Sequence, residues 1–147
     1  MKNGKILISG AGIAGPGLAY WLLKYGFEPV LVERAPAPRT GGYIIDLWGL
    51  GFDVAEKMGL VPALRHEGYT IDKIRIVDEQ GEKTGGFSAR AVQAVIGDRY
   101  VSILRSDLAK LIYNSLEGQV RTVFGDSITA IEQDGESVSV AFHHGPP

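Results

Sequence analysis

The sequence has no cysteine. That removes disulfides, thiolate metal sites, iron–sulfur ligation and a cysteine nucleophile at once, and leaves the redox compartment open, with cytoplasm as the default. It also lacks an excess of either charge: 15 basic and 17 acidic residues give a net charge of -2, and there is no basic run. Neither nucleic acid nor an anionic membrane surface is expected as a partner. An unbroken apolar segment is missing too. Ile6 to Leu23 carries no charge, and Lys2 and Lys5 precede it like the start of a secretory signal. But Gly10, Gly12, Gly15, Gly17 and Pro16 fall in its middle, where each glycine costs a helix about 1 kcal/mol and proline more. Neither a membrane span nor a leader is predicted there. Internal repeats and low-complexity tracts are absent as well.

What is present is enough for one domain of 147 residues. Leu, Ile, Val and Phe make up about 29% of the chain, above the roughly 20% below which disorder is the default. The 20 glycines are about twice the usual share and follow no three-residue period, which excludes collagen and points to many turns.

Lys5 to Ser9 is a short apolar run that reads as a strand buried on both faces. Gly12 to Tyr25 reads as a helix stopped by Gly26, and Glu28 to Glu33 as a second buried strand. Strand, helix and strand fill about 30 residues, one parallel crossover unit. Ala35 to Gly42 (APAPRTGG) is a loop. The spacing of Leu50, Val54 and Met58 predicts a short helix over 52–58, ended by Gly59. Thr70 to Asp78 reads as a half-buried strand followed by a turn and a return strand, while Gly85 to Asp98 is ambiguous. Ser106 is placed as the N-cap of a helix with Leu108, Leu111, Ile112 and Leu116 on one face and Gly118 as its stop. Three strands are predicted after it, over 120–124, 127–133 and 136–142, the last two joined by a hairpin turn at Asp134-Gly135.

Gly10-Ala11-Gly12-Ile13-Ala14-Gly15 matches G-x-G-x-x-G directly after a strand and at the start of a helix, the context a dinucleotide-binding turn requires. Gly10 allows the tight turn, Gly12 lets a pyrophosphate approach the backbone, and Gly15 lets the helix pack on the strand. Free N–H groups around Ile13 and Ala14, with the positive end of the helix dipole, suit the phosphates. Pro16 falls in the first turn, where a missing N–H is tolerated. Glu33 ends the second strand, near the roughly 20-residue offset of a carboxylate that binds a ribose. It would repel a ribose 2′-phosphate, which favours FAD or NAD over NADP at this site.

Four segments together, ILISGAGIAGPGLA, VLVER, RTGGYIIDLWGLGFDVAEKMGL and ILRSDLAKLIYNSL, closely resemble the FAD-dependent aromatic hydroxylases and monooxygenases, especially the branch of tetracycline-modifying monooxygenases. The resemblance implies an α/β, three-layer dinucleotide fold of the Rossmann type. It implies that Glu33 binds the adenosine ribose, that Arg34 lies along the adenine, and that Asp46 lies near the flavin end of the cofactor. Arg105 would reach the FAD and Arg39 would meet the nicotinamide donor. Read alone, an arginine in a Pro/Gly loop is simply solvated, and Arg105 is a surface charge beside a helix start. In such enzymes NAD(P)H reduces the FAD and one atom of O2 passes to an aromatic or polyketide-like small molecule.

The resemblance also has departures. The family carries a later Asp-Gly segment and a Gly-Asp segment along the cofactor. Asp134-Gly135 here reads as a hairpin turn, and Gly97-Asp98 lacks the helix context. Residues 1–147 therefore read as the N-terminal portion of an FAD-binding domain, with about 70–100 starting a substrate-side sheet. A complementary C-terminal segment, or self-association through an exposed sheet edge, is the expected partner. The rival readings are an NAD-dependent reductase domain and a non-catalytic dinucleotide-binding fragment.

The remaining candidates read structurally. His143-His144 is a solvated pair whose rings, if on a strand, point to opposite faces, and His66 stands alone; no metal site is expected. Tyr20, Trp21 and Tyr25 read as helix packing. Trp48 is the aromatic best placed for a flavin or substrate. No catalytic side chain is assigned, since the redox chemistry belongs to the cofactor.

Overall fold

The computed structural model describes residues 4–145, apart from the side chains of Arg90, Val92, Gln93 and Ile96. Lys2, considered above as part of a leader, lies outside the described residues, as do Pro146 and Pro147. In chain order the elements are β1 (Lys5–Ser9), α1 (Ala14–Lys24), β2 (Glu28–Glu33), β3 (Ile44–Trp48), α2 (Leu50–Lys57), α3 (Val61–Glu67), β4 (Lys73–Val77), β5 (Lys83–Ser88), α4 (Ala89–Ile96), β6 (Tyr100–Leu104), α5 (Arg105–Asn114), β7 (Arg121–Phe124), β8 (Ile128–Gln133) and β9 (Val138–Phe142). The chain forms two compact units, one of Met1–Gly41 with Leu108–Pro147 and one of Gly42–Asp107.

The first unit is built on a parallel sheet in the order β1-β2-β7. Its core joins Ile8, Ala19, Leu31, Leu116 and Val120, with Ile6, Tyr20, Leu22, Leu23 and Tyr113 against them. Tyr20 and Trp21 stack edge to face at 5.3 Å. The central strand β2 carries Pro29, which lacks a ladder donor. It is tolerated because β7 pairs only from Val30 onward. Gly26, at φ +78°, stops α1 as its position predicts. The β8–β9 hairpin turns at Asp134, whose Oδ1 accepts from the N–H of Glu136 at 2.8 Å and Ser137 at 2.7 Å.

The second unit holds the antiparallel pairs β3–β6 and β4–β5 with α2, α3 and α4. Phe52, Leu64 and Ile103 are buried at its core. Arg99 ties α2 down: its Nη1 and Nη2 donate to the two Glu56 oxygens at 2.9 and 3.0 Å, and Nη2 to Asp53 at 2.7 Å. Its guanidinium lies over the Phe52 ring.

The α/β architecture, with open sheets, flanking helices and a parallel βαβ start, is of the Rossmann type. Several local expectations need correction. β1 is not buried on both faces: only Ile8 is buried, because β1 is an edge of its sheet among the described residues. β4 is exposed along its whole length rather than half-buried, since it pairs with β5 alone and the ribbon has little to cover it. Ser106 does not cap α5, which already begins at Arg105, and its Oγ instead faces the Asp107 carboxylate. The helix predicted over 52–58 starts at Leu50, and the ambiguous stretch 85–98 resolves into the end of β5 and α4. Among the described residues no helix is long and apolar enough to cross a membrane.

Candidate functional site

β1 delivers the chain into the glycine turn. Gly10 adopts φ +109°, a conformation L side chains rarely take, and its N–H donates to the Val32 carbonyl at 2.7 Å, so the turn is anchored on β2. A Cβ on Gly15 would come within 1.9 Å of the Gly10 carbonyl oxygen and 3.2 Å of Leu31, so the helix start lies hard against turn and strand. A Cβ on Gly12 would meet nothing within 4 Å, so the backbone there is open to an incoming group.

Among the described residues the helix start has no competing ligand. α1 has no side-chain cap and no acidic residue in its first turn. Among the described residues the N–H groups of Gly12, Ile13 and Ala14 have no hydrogen-bond partner. Pro16, buried in the first turn, has no N–H to satisfy. Unpaired donors at the positive end of a helix suit an anion with several oxygens. The geometry therefore fits the pyrophosphate of a dinucleotide.

Glu33 does more than its spacing indicated. One carboxylate oxygen accepts the Ala11 N–H at 2.8 Å and the other accepts the Ala35 N–H at 2.9 Å. Those two bonds, Ala35 first, hold the carboxyl below the usual carboxylate range against the opposing effect of burial, and Arg39 and Arg34 add smaller pulls in the same direction. The side chain thus ties the glycine turn to the chain leaving β2. Each oxygen keeps a lone pair for a further donor such as a ribose hydroxyl. Arg34 and Arg39 are exposed in the loop that follows.

In the second unit, Asp46 lies on β3 directly opposite Ser102 of β6. Its Oδ1 accepts from Ser102 Oγ and from the Tyr100 hydroxyl, both at 2.6 Å. Neither partner was anticipated, because neither strand is evident in the sequence pattern. Arg105, exposed at the start of α5, donates its N–H to the Tyr43 carbonyl at 3.0 Å. Trp48 is 57% exposed.

His143 and His144 do not sit on a strand with opposed rings. β9 ends at Phe142, the backbone turns around Asp126, whose Oδ1 accepts both histidine N–H groups, and the rings meet at 4.5 Å. Among the described residues no group of three or more His, Asp or Glu could hold a metal ion.

No protein-family model matches the chain. Individual relatives do. The chain is 37% identical over 98% of its length to a flavin-dependent monooxygenase of Legionella longbeachae, and spans 36% of that protein. It is 35% identical over 95% of its length to an FAD-dependent monooxygenase of Sarocladium schorii, spanning 33% of it. Among solved structures, the tetracycline destructase Tet(55) superposes with a TM-score of 0.82 at 33% identity, over 99% of this chain and 36% of that one. In sequence and in fold the chain is similar to flavin-dependent monooxygenases, and it spans little more than a third of the length of the relatives it matches.

Proposed function

We propose that this chain holds FAD as part of a flavin-dependent monooxygenase that hydroxylates an aromatic or polyketide-like small molecule with NAD(P)H and O2. The observation that carries the proposal is the glycine turn: open at Gly12, offering unpaired N–H groups from Gly12 to Ala14, and braced by the Glu33 carboxylate. These N–H groups bind the pyrophosphate. Gly10 and Gly15 set the turn's shape. Glu33 accepts from the adenosine ribose, and Arg34 lies along the adenine. Asp46 and Arg105 serve the flavin half of the same cofactor, and Arg39 meets the nicotinamide donor. The relatives named as flavin-dependent and FAD-dependent monooxygenases support this assignment.

When bound, FAD would supply the two-electron redox chemistry that couples a nicotinamide donor to O2. The chain contributes binding and orientation. The negative charge of Glu33 discriminates against a 2′-phosphate in its own subsite, which leaves NAD(P)H to be met elsewhere. The β4–β5 hairpin belongs to the substrate side, and we assign the rest of the substrate pocket to the part of the relatives that this chain does not span. On that assignment the chain alone binds cofactor without turning substrate over.

The visible absorption spectrum after incubation with FAD and removal of free ligand tests the proposal. Retained flavin bands are the expected result. A colourless protein that binds NAD tightly would replace it with the reductase reading. A colourless protein that binds neither, even with the remaining portion of a relative supplied, would leave a non-catalytic fragment.

A further inference from the structure

Among the described residues Asp126 is the only buried side chain that carries a charge, with 7% of its surface exposed. Burial takes water from a carboxylate, so its oxygens must be met by donors. Three backbone N–H groups meet one of them: Ser127 at 2.7 Å, His143 at 3.0 Å and His144 at 3.1 Å all donate to Oδ1. Burial by itself would raise the carboxyl. The three bonds, with a smaller pull from the charge of His144, outweigh it and hold Asp126 below the ordinary carboxylate range. Ser127 precedes β8 and His143 follows β9, so this one oxygen ties together the two ends of the hairpin. The His143 N–H is shared with the Ser127 carbonyl at 3.0 Å, which closes the same knot.

The backbone at this point grips a different segment. The Gly125 N–H donates to the Ala35 carbonyl at 2.9 Å, and the Asp126 N–H to the Glu33 carbonyl at 3.2 Å. The bend falls on Gly125, at φ +76°, in the left-handed region that favours glycine. The Glu33 carboxylate in turn holds the Ala11 and Ala35 N–H groups. A continuous run of hydrogen bonds therefore leads from the base of the β8–β9 hairpin, through residues 125–126, to the Glu33 side chain and the glycine turn. All of it lies within the first unit.

We propose that Asp126 is a positioning residue: by fixing the bend at 125–126 it holds the Glu33 segment so that the Glu33 carboxylate is aimed at the ribose 2′-hydroxyl of the dinucleotide. The inference rests on the FAD reading above and involves no contact between Asp126 and the ligand. In a purely structural role the same bonds would merely fasten the hairpin to the end of β7, and the ligand would sense only a loss of folded protein.

The test compares ADP with 2′-deoxy-ADP, which differ only in the hydroxyl at issue, by calorimetry on the whole chain as wild type, D126A, D126S, E33Q and E33Q/D126A. A loss of folding lowers the bound fraction of both ligands alike and leaves the ratio of their affinities unchanged, so the ratio separates positioning from stability. A charge-assisted bond from the hydroxyl to Glu33 predicts a wild-type preference for ADP of about tenfold. Positioning by Asp126 predicts that D126A cuts this preference to about threefold or less, and that it cuts nothing further once Glu33 is replaced. D126S shortens the acceptor but keeps a polar side chain, and serves in its place if D126A folds poorly. A wild-type preference retained in D126A and D126S would overturn the inference alone, as would a further loss from D126A in the E33Q background. A wild type that binds ADP and 2′-deoxy-ADP equally would overturn the ribose assignment of Glu33 and the inference with it, and one that binds neither would overturn the FAD reading.

Discussion

Glu33 is read from the sequence as a ribose ligand, and the structure gives it a second task. Its two oxygens hold the Ala11 and Ala35 N–H groups, so the carboxylate proposed to meet a nucleotide also sets the shape of the glycine turn. The E33Q variant keeps the size of the side chain but loses the charge and one acceptor. Because the folded carboxyl sits below its usual range, its contribution is complete above the unfolded value and disappears as pH falls through the folded one. E33Q should therefore be less stable at neutral pH, by about 1 kcal/mol for a half-exposed group. The difference from wild type should close on acidification. Urea denaturation across the acid range checks this, and a gap that widens toward low pH would contradict it. Re-engineering this position for a 2′-phosphate cannot leave the turn untouched.

At the scale of elements, what was legible was what is local. β1, α1 and β2 follow from a run, a glycine spacing and a stop within about 30 residues, and the hairpin turn follows from Asp134-Gly135. β3 and β6 escaped because neither is evident without the other: five residues between glycines and five before a helix become a ladder only when Asp46 meets Ser102 across 56 positions. The bonds of Asp46 to Ser102 and Tyr100 were hidden for the same reason, as was the grip of Arg99 on Asp53 and Glu56. Pattern without geometry also misled at α5, where a serine before an apolar face looks like a cap. A helix that starts at Arg105 does not depend on Ser106 for its first N–H groups. S106A should then cost less than about 0.5 kcal/mol, against the roughly 1 kcal/mol of a lost N-cap. Thermal unfolding followed by circular dichroism distinguishes the two values.

Over the whole molecule, several large apolar side chains stand in water. Ile131 and Val138 are 63% and 58% exposed on the β8–β9 hairpin, and Ile76 and Phe87 are exposed on β4–β5. Patches of this kind mark contact surfaces. The chain should associate with rising concentration, and I131K/V138K should shift its sedimentation toward the monomer; a wild type that sediments as a monomer at every concentration would count against this. The path of the chain carries one more consequence. β1, α1 and β2 are contiguous, whereas β7 reaches β2 only after an excursion that separates paired residues by about ninety positions. Closing so long a loop is entropically costly and is repaid only when the strand docks. The glycine turn can therefore form early, during synthesis, while the sheet that supports it is completed among the last events of folding.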